Sequence, residues 1–236
     1  MRSTRGTLAV LAAASLLAGC ASAPEIPFDR AAAPNVKTIG IMTPGAPDGA
    51  TVVLASSVGQ SFGLVGALID AGMQSARDSK VKDMLKQQSM SAPDNFVDAV
   101  KAGLEQHGYT VVSVPGARDR DDFAKTYPKE TGVDAFLDLV TTSYGYVAAG
   151  IGSATPYRPT YAAKVRLVGA NGAPVLLQDA VFYNPVRPTN RTITVAPDAA
   201  LQFKDFDALV ADPTKAAEAL RTAAEQSGAT VAKLLR

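Results

Sequence analysis

Residues able to do chemistry are few in this sequence, and they come singly. The chain has 236 residues with one cysteine, Cys20, and one histidine, His107. Gly59-Gln60-Ser61-Phe62-Gly63 fits G-x-S-x-G, the strained strand-to-helix turn that exposes a nucleophilic serine. Such a serine needs a histidine base oriented by an acid, and in hydrolases of that build the acid lies on a later strand, before the histidine. Between Ser61 and His107 only helical pattern runs. A serine hydrolase at Ser61 is therefore an alternative without its partners, and Gly59, Gly63 and Gly66 read more simply as small positions of a helix close to a sheet. Ser79-Lys80-Val81-Lys82 fits S-x-x-K but has none of the companion elements, so it reads as a solvated helix face. Asp119, Asp121 and Asp122 alternate with Arg118 and Arg120 and have no calcium-loop spacing, which predicts a solvated charge run. Asp134 and Asp138 would lie about 13 Å apart along one strand face, too far for a glycosidase pair; they suit a strand end or a solvated face. His107 precedes Gly108 at a predicted helix C-terminus and suits a cap. One cysteine and one histidine exclude an intrachain disulfide framework and a Cys/His zinc cluster. The sequence thus predicts no catalytic residue, no metal and no cofactor.

The remaining reactive group is the thiol of Cys20, and its surroundings are specific. Arg2 and Arg5 form a basic start, residues 7–17 (TLAVLAAASLL) form a short uncharged run, and Leu17-Ala18-Gly19-Cys20 follows at once. The run is about half the ~20 residues that a membrane-spanning helix needs, and small residues stand at the cleavage point, as in an export signal. This motif resembles the bacterial lipobox, and residues 1–20 resemble the leader of a prolipoprotein. The resemblance implies that residues 1–19 are removed and that Cys20 becomes a lipidated N-terminus, its sulfur carrying diacylglycerol, with palmitate or a similar chain on the amine. A thiolate is a good nucleophile for that alkylation, and each buried lipid methylene contributes about 0.8 kcal/mol to anchoring. Ala21 follows the cysteine in place of aspartate, which in such lipoproteins implies the periplasmic face of the outer membrane.

Composition sets the rest of the frame. Hydrophobic residues make up 47% and charged residues 19%, too apolar for a mainly disordered chain. A net charge of +1 argues against an electrostatic nucleic-acid partner. Residues 20–35 carry three prolines and many alanines and predict a flexible tether, followed by one domain over 36–236. Strands are predicted over 36–42 and 51–55, with a helix or two successive helices over 61–88. Ser91 and Pro93 start a second helix whose apolar stripe is Phe96, Val97, Val100 and Leu104, ended by Gly108. Residues 109–114 predict a buried strand and 117–131 one short helix. Residues 133–146 predict a long strand with Val133, Ala135, Leu137 and Leu139 on one face. Residues 161–168 put Tyr161, Ala163, Val165 and Leu167 on one side, and Asn171-Gly172 turns the chain tightly into a partner strand over 174–183. A helix over 213–235 closes the order, weakened by Gly228. These elements predict an α/β (α+β) fold, a mixed, mostly antiparallel sheet with helices packed on one face, in a single domain.

The run 132–145 and the hairpin 163–177 resemble the sheet of small periplasmic lipoprotein domains, the group of the curli-secretion lipoprotein and the lipoprotein activators of penicillin-binding proteins. That resemblance implies an assembly or docking module in the cell envelope, with an envelope protein as partner. Four of the seven tyrosines, Tyr144, Tyr146, Tyr157 and Tyr161, flank a loop at Ile151. Tyrosine joins apolar area to a polar tip, which suits an interface, and these five residues are the candidate interaction site. Packing within the core accounts for the same tyrosines, and a ligand- or polysaccharide-binding loop is the other reading.

Overall fold

The computed structural model describes residues 25–55, 63–118, 122–129, 132–149, 155–185 and 192–236. In chain order they form β1 (Thr38–Met42), β2 (Thr51–Ala55), α1 (Gly63–Gln87), α2 (Ala92–Gln106), β3 (Thr110–Val114), β4 (Ala135–Ala149), β5 (Arg158–Gly169), β6 (Val175–Tyr183), β7 (Ile193–Val195), α3 (Phe206–Ala211) and α4 (Pro213–Lys233). The strands make one seven-stranded mixed sheet in the order β3-β1-β4-β5-β6-β7, with β2 also on β4. Its longest ladders, β4 with β5 and β5 with β6, are antiparallel, while β1 is parallel to both β3 and β4. The predicted fold class is the observed one.

The 15-residue β4 is the spine of the sheet. One of its edges is lined in succession by β1 at Ala135–Leu137, by a single bridge from Gly45 to Val140, and by β2 at Gly145–Ala149. β1 and β2 thus act as one strand interrupted by the loop 43–50. Gly145 is required where β2 begins, because its φ is +141° and a Cβ there would run into the backbone of Thr51. On the opposite edge, β4 slips by one residue against β5 between Thr141 and Ser143.

Alternation assigns the two faces. Ala135, Leu137, Leu139 and Tyr146 of β4 and Tyr161, Ala163, Val165 and Leu167 of β5 turn to one side, where Val81, Phe96, Val100, Leu104, Leu209, Leu220 and Val231 of the four helices meet them in one buried cluster. α2 begins at Ser91, whose hydroxyl accepts from the Asp94 N–H at 3.4 Å, with Pro93 in the first turn. α4 begins at Asp212, which accepts from the Lys215 N–H at 3.0 Å. The two helices approach closely at glycines. A Cβ on Gly228 would stand 2.5 Å from the Phe96 carbonyl oxygen, and one on Gly103 would stand 2.5 Å from the Ala232 Cβ. Gly228, expected to weaken α4, is thus the residue that lets α4 dock.

Several expectations are corrected. Val133 lies before β4 and packs with Met42, Val114, Ala124 and Phe136 on the sheet's other face, not with Leu137 and Leu139. β3 is an edge strand, with Val112 38% exposed, because only β1 pairs with it. Residues 122–129 hold no helix; they lie as irregular chain across the second face. The turn between β5 and β6 is longer than two residues, with a 3-10 turn at Ala170–Gly172. The tether is shorter than predicted. Ile26 exchanges both backbone hydrogen bonds with Gln178 of β6 at 2.8 Å, and Arg30 donates to the Tyr109 hydroxyl at 2.6 Å, so residues 25–35 run against the domain.

Candidate functional site

Three of the four described tyrosines of the predicted site are core. Tyr146 and Tyr161 point from β4 and β5 into the helix side and are fully buried. The Tyr146 hydroxyl donates to the Ala216 carbonyl of α4, and the Tyr161 hydroxyl shares a hydrogen bond with Thr141 at 2.5 Å. Burial pushes both hydroxyls far above their ordinary titration range. Tyr157 is 4% exposed, stacked obliquely against Phe206 at 5.9 Å, and its backbone pairs with Phe203. These residues tie the sheet to α3 and α4 and do not present an interface. Tyr144 is half-buried against Tyr161, at 6.4 Å between rings. Ile151, Cys20 and Ser61 lie outside the described residues.

The surface beside Tyr157 is a better candidate. A cleft of about 340 Å³ opens between β2, α1 and α3, lined by Leu54, Arg77, Thr155, Tyr157, Phe206 and the acids Asp205 and Asp207. Arg77 and Lys80 of α1 both lie over the Phe206 ring, at 5.7 and 5.9 Å. Leu54, in the cleft wall, and Met73, one turn before Arg77 on α1, are exposed at 39% and 47%, whereas Val53, 43% exposed, turns to the opposite face of β2. The arrangement sets exposed apolar area beside mixed charge at the rim. Strand pairing is blocked at β2 itself, since the Val52 N–H donates to Asp78 at 2.6 Å and Gln74 donates to the Val52 carbonyl. Among the described residues no group of three His, Cys, Asp or Glu side chains is placed to hold a metal ion.

No family model matches the chain, and no curated protein matches it. Two solved structures share part of its course. Protein XCC0632 from Xanthomonas campestris, described by the family model DUF330, is 12% identical over 89% of this chain and 83% of its own, with a TM-score of 0.37. Lipoprotein GNA1162 from Neisseria meningitidis is 18% identical over 62% of this chain and 81% of its own, with a TM-score of 0.21. Likenesses this distant carry no argument about what the chain does.

The second face of the sheet holds a polar cluster that sequence reasoning missed. Asp138, expected on a solvated face or strand end, is fully buried and paired with Arg118. Its carboxylate also accepts from the Ala124 N–H at 2.7 Å and the Tyr127 hydroxyl at 3.2 Å, while Arg118 donates to the Leu139 carbonyl at 2.8 Å. The Arg118 Nε is buried without a partner among the described residues. Beside this pair Arg166 lies over the Phe123 ring at 4.0 Å and donates to Gln178 at 2.8 Å. The cluster pins Arg118, Ala124 and Tyr127 onto the sheet. The available signal was an acid between two leucines on a strand covered on both faces, which needs a cation from elsewhere. Asp134, by contrast, is exposed and accepts from the Lys37 and Thr38 N–H groups at 2.9 and 2.7 Å, holding the start of β1. Asp122 is exposed, as expected, and its carboxyl is held low chiefly by the Phe123 N–H, with Lys164 adding to it.

Proposed function

We propose that this chain is a lipid-anchored lipoprotein of the bacterial envelope, held through Cys20 to the periplasmic face of the outer membrane, and that it works without catalysis as a protein-docking module in envelope assembly or maintenance. The observation that carries the reading is the run from Arg2 and Arg5 through residues 7–17 to Leu17-Ala18-Gly19-Cys20, which sets the sole thiol of the chain at the cleavage point. No helix among the described residues is long and apolar enough to cross a membrane. Leu54 and Met73, exposed at and beside the cleft, support a protein partner over a small enclosed ligand, since apolar surface open to solvent suits a docking partner.

The test is Cys20→Ser. Wild-type chain is expected to sediment with membranes and to enter solution only with detergent, and the C20S chain to appear in the soluble fraction. Equal membrane fractionation of the two would remove the anchor and the docking role built on it.

A further inference from the structure

The sheet has several outer strands, and among the described residues all but one have outward groups already taken within the chain or are very short. An outer strand leaves alternate N–H and C=O groups unpaired, and folded proteins cover, shorten or charge such strands. On β2, Asp78 and Gln74 occupy the outward groups of Val52. On β6, Ile26 takes the outward groups of Gln178, and β7 takes Val181–Tyr183. β7 itself is three residues long. β3 is different. It is five residues (TVVSV) without charge or proline, and Thr110, Val112 and Ser113 are exposed.

The register fixes which of its groups look outward. The Thr110 N–H donates to Lys37 at 2.9 Å, and the Val114 carbonyl accepts from Thr43 at 3.1 Å. Thr110, Val112 and Val114 therefore direct both backbone groups at β1, and Val111 and Ser113 direct theirs away from it. Among the described residues nothing occupies those outward groups. The two residues lie symmetrically about Val112. An antiparallel copy of the same strand, related by a two-fold axis at Val112, sets Val111 opposite Ser113 in both directions, and each such pair exchanges two hydrogen bonds. All the outward groups of both copies are then satisfied in one register. Val112 meets its own counterpart in the close, non-hydrogen-bonded position, and no like charges face each other along the strand.

We propose that β3 is a self-pairing edge, on which a second copy of this chain docks antiparallel about Val112 to continue the sheet across the pair. This edge is the far end of the strand order from β6, where Ile26 pairs with Gln178.

The experiment uses the full chain in its native membrane. Val112→Cys places two thiols across the axis, where the Cα atoms of a close antiparallel pair stand about 4.5 Å apart, within disulfide reach. Under mild oxidation V112C is expected to form a disulfide-linked dimer about tenfold faster than Val175→Cys, an equally exposed valine at the other end of the sheet that dimerises only by random encounter. Ser113→Pro removes an outward donor without touching the β1 ladder, and is expected to reduce V112C cross-linking to the V175C level while the melting curve is unchanged. Two differently tagged copies are expected to co-purify, and to stop doing so with Val112→Lys. Equal cross-linking of V112C and V175C overturns the proposal, as does cross-linking that survives S113P. A V112C thiol shielded from maleimide yet not cross-linked assigns the edge to another protein's strand and overturns self-pairing as well. A band in the wild-type chain would come from Cys20 and count against its thioether; the edge is judged on the excess of V112C over it.

Discussion

The helix side of the sheet is covered by four helices whose apolar positions recur at regular spacing, and its buried polar groups are hydroxyls satisfied by a neighbouring carbonyl or threonine. The loop side is covered by irregular chain and carries a buried ion pair, Arg118 with Asp138, flanked by a small apolar cluster. The first cover is held by area and close packing, the second by a few charged hydrogen bonds at single points. Loss of one methyl on the helix side is spread over many contacts, whereas loss of one cation on the loop side strands a charge in the interior.

The largest effect separating the two faces is expected from Arg118→Met. It keeps the volume but leaves Asp138 buried without its cation, and is expected to cost about 3–5 kcal/mol in denaturant unfolding. Adding Asp138→Leu should recover most of that loss, because the replacement pair is apolar; failure to recover would mean that the loop is held by something other than this charge. Next in size is Gly228→Ala. Alanine gains up to about 1 kcal/mol of helix propensity, but its Cβ meets the Phe96 carbonyl, and overpacking costs about 1–3 kcal/mol, so a lowered melting temperature is expected. A raised one would show that α2 and α4 approach loosely. The smallest effect, absent at neutral pH, comes from Tyr146 and Tyr161. Their hydroxyls titrate higher in the folded chain than in the unfolded one, so their contribution to stability is complete below about pH 10 and is lost as pH rises beyond it. Absorbance at the phenolate band should therefore rise for these two together with the loss of far-ultraviolet circular dichroism. Titration of both at the ordinary tyrosine range in a folded chain would contradict their burial.

What could be read from the sequence follows the same division. The spacing of Phe96, Val100 and Leu104, the alternation of Tyr161, Ala163, Val165 and Leu167, the helix start at Ser91 and the helix begun at Pro213 are local patterns, and each element appears close to where they put it. Which strand lies at the edge is not local. The apolar residues 109–114 look central by composition, yet β3 is outermost because β4, some twenty residues later, takes the inner side of β1. The pairing of Asp138 with Arg118 depends on the same long-range register. The tyrosines between 144 and 161 invited an interface because clustering along the chain looks the same whether a strand turns its side chains to helices or to solvent. The cleft by Leu54, Arg77 and Phe206 joins three distant segments and leaves no motif in any of them.

The pairing of Ile26 with Gln178 has a mechanical consequence. If Cys20 sits at the lipid surface, six residue steps separate it from the first residue fastened to the sheet, a span of at most about 20 Å when fully stretched. The domain is then moored rather than trailing: it can pivot and drift sideways in the plane, but it cannot stray outward by more than roughly its own width. Whatever meets it must come to that shallow layer, and two copies would search for each other in two dimensions instead of three.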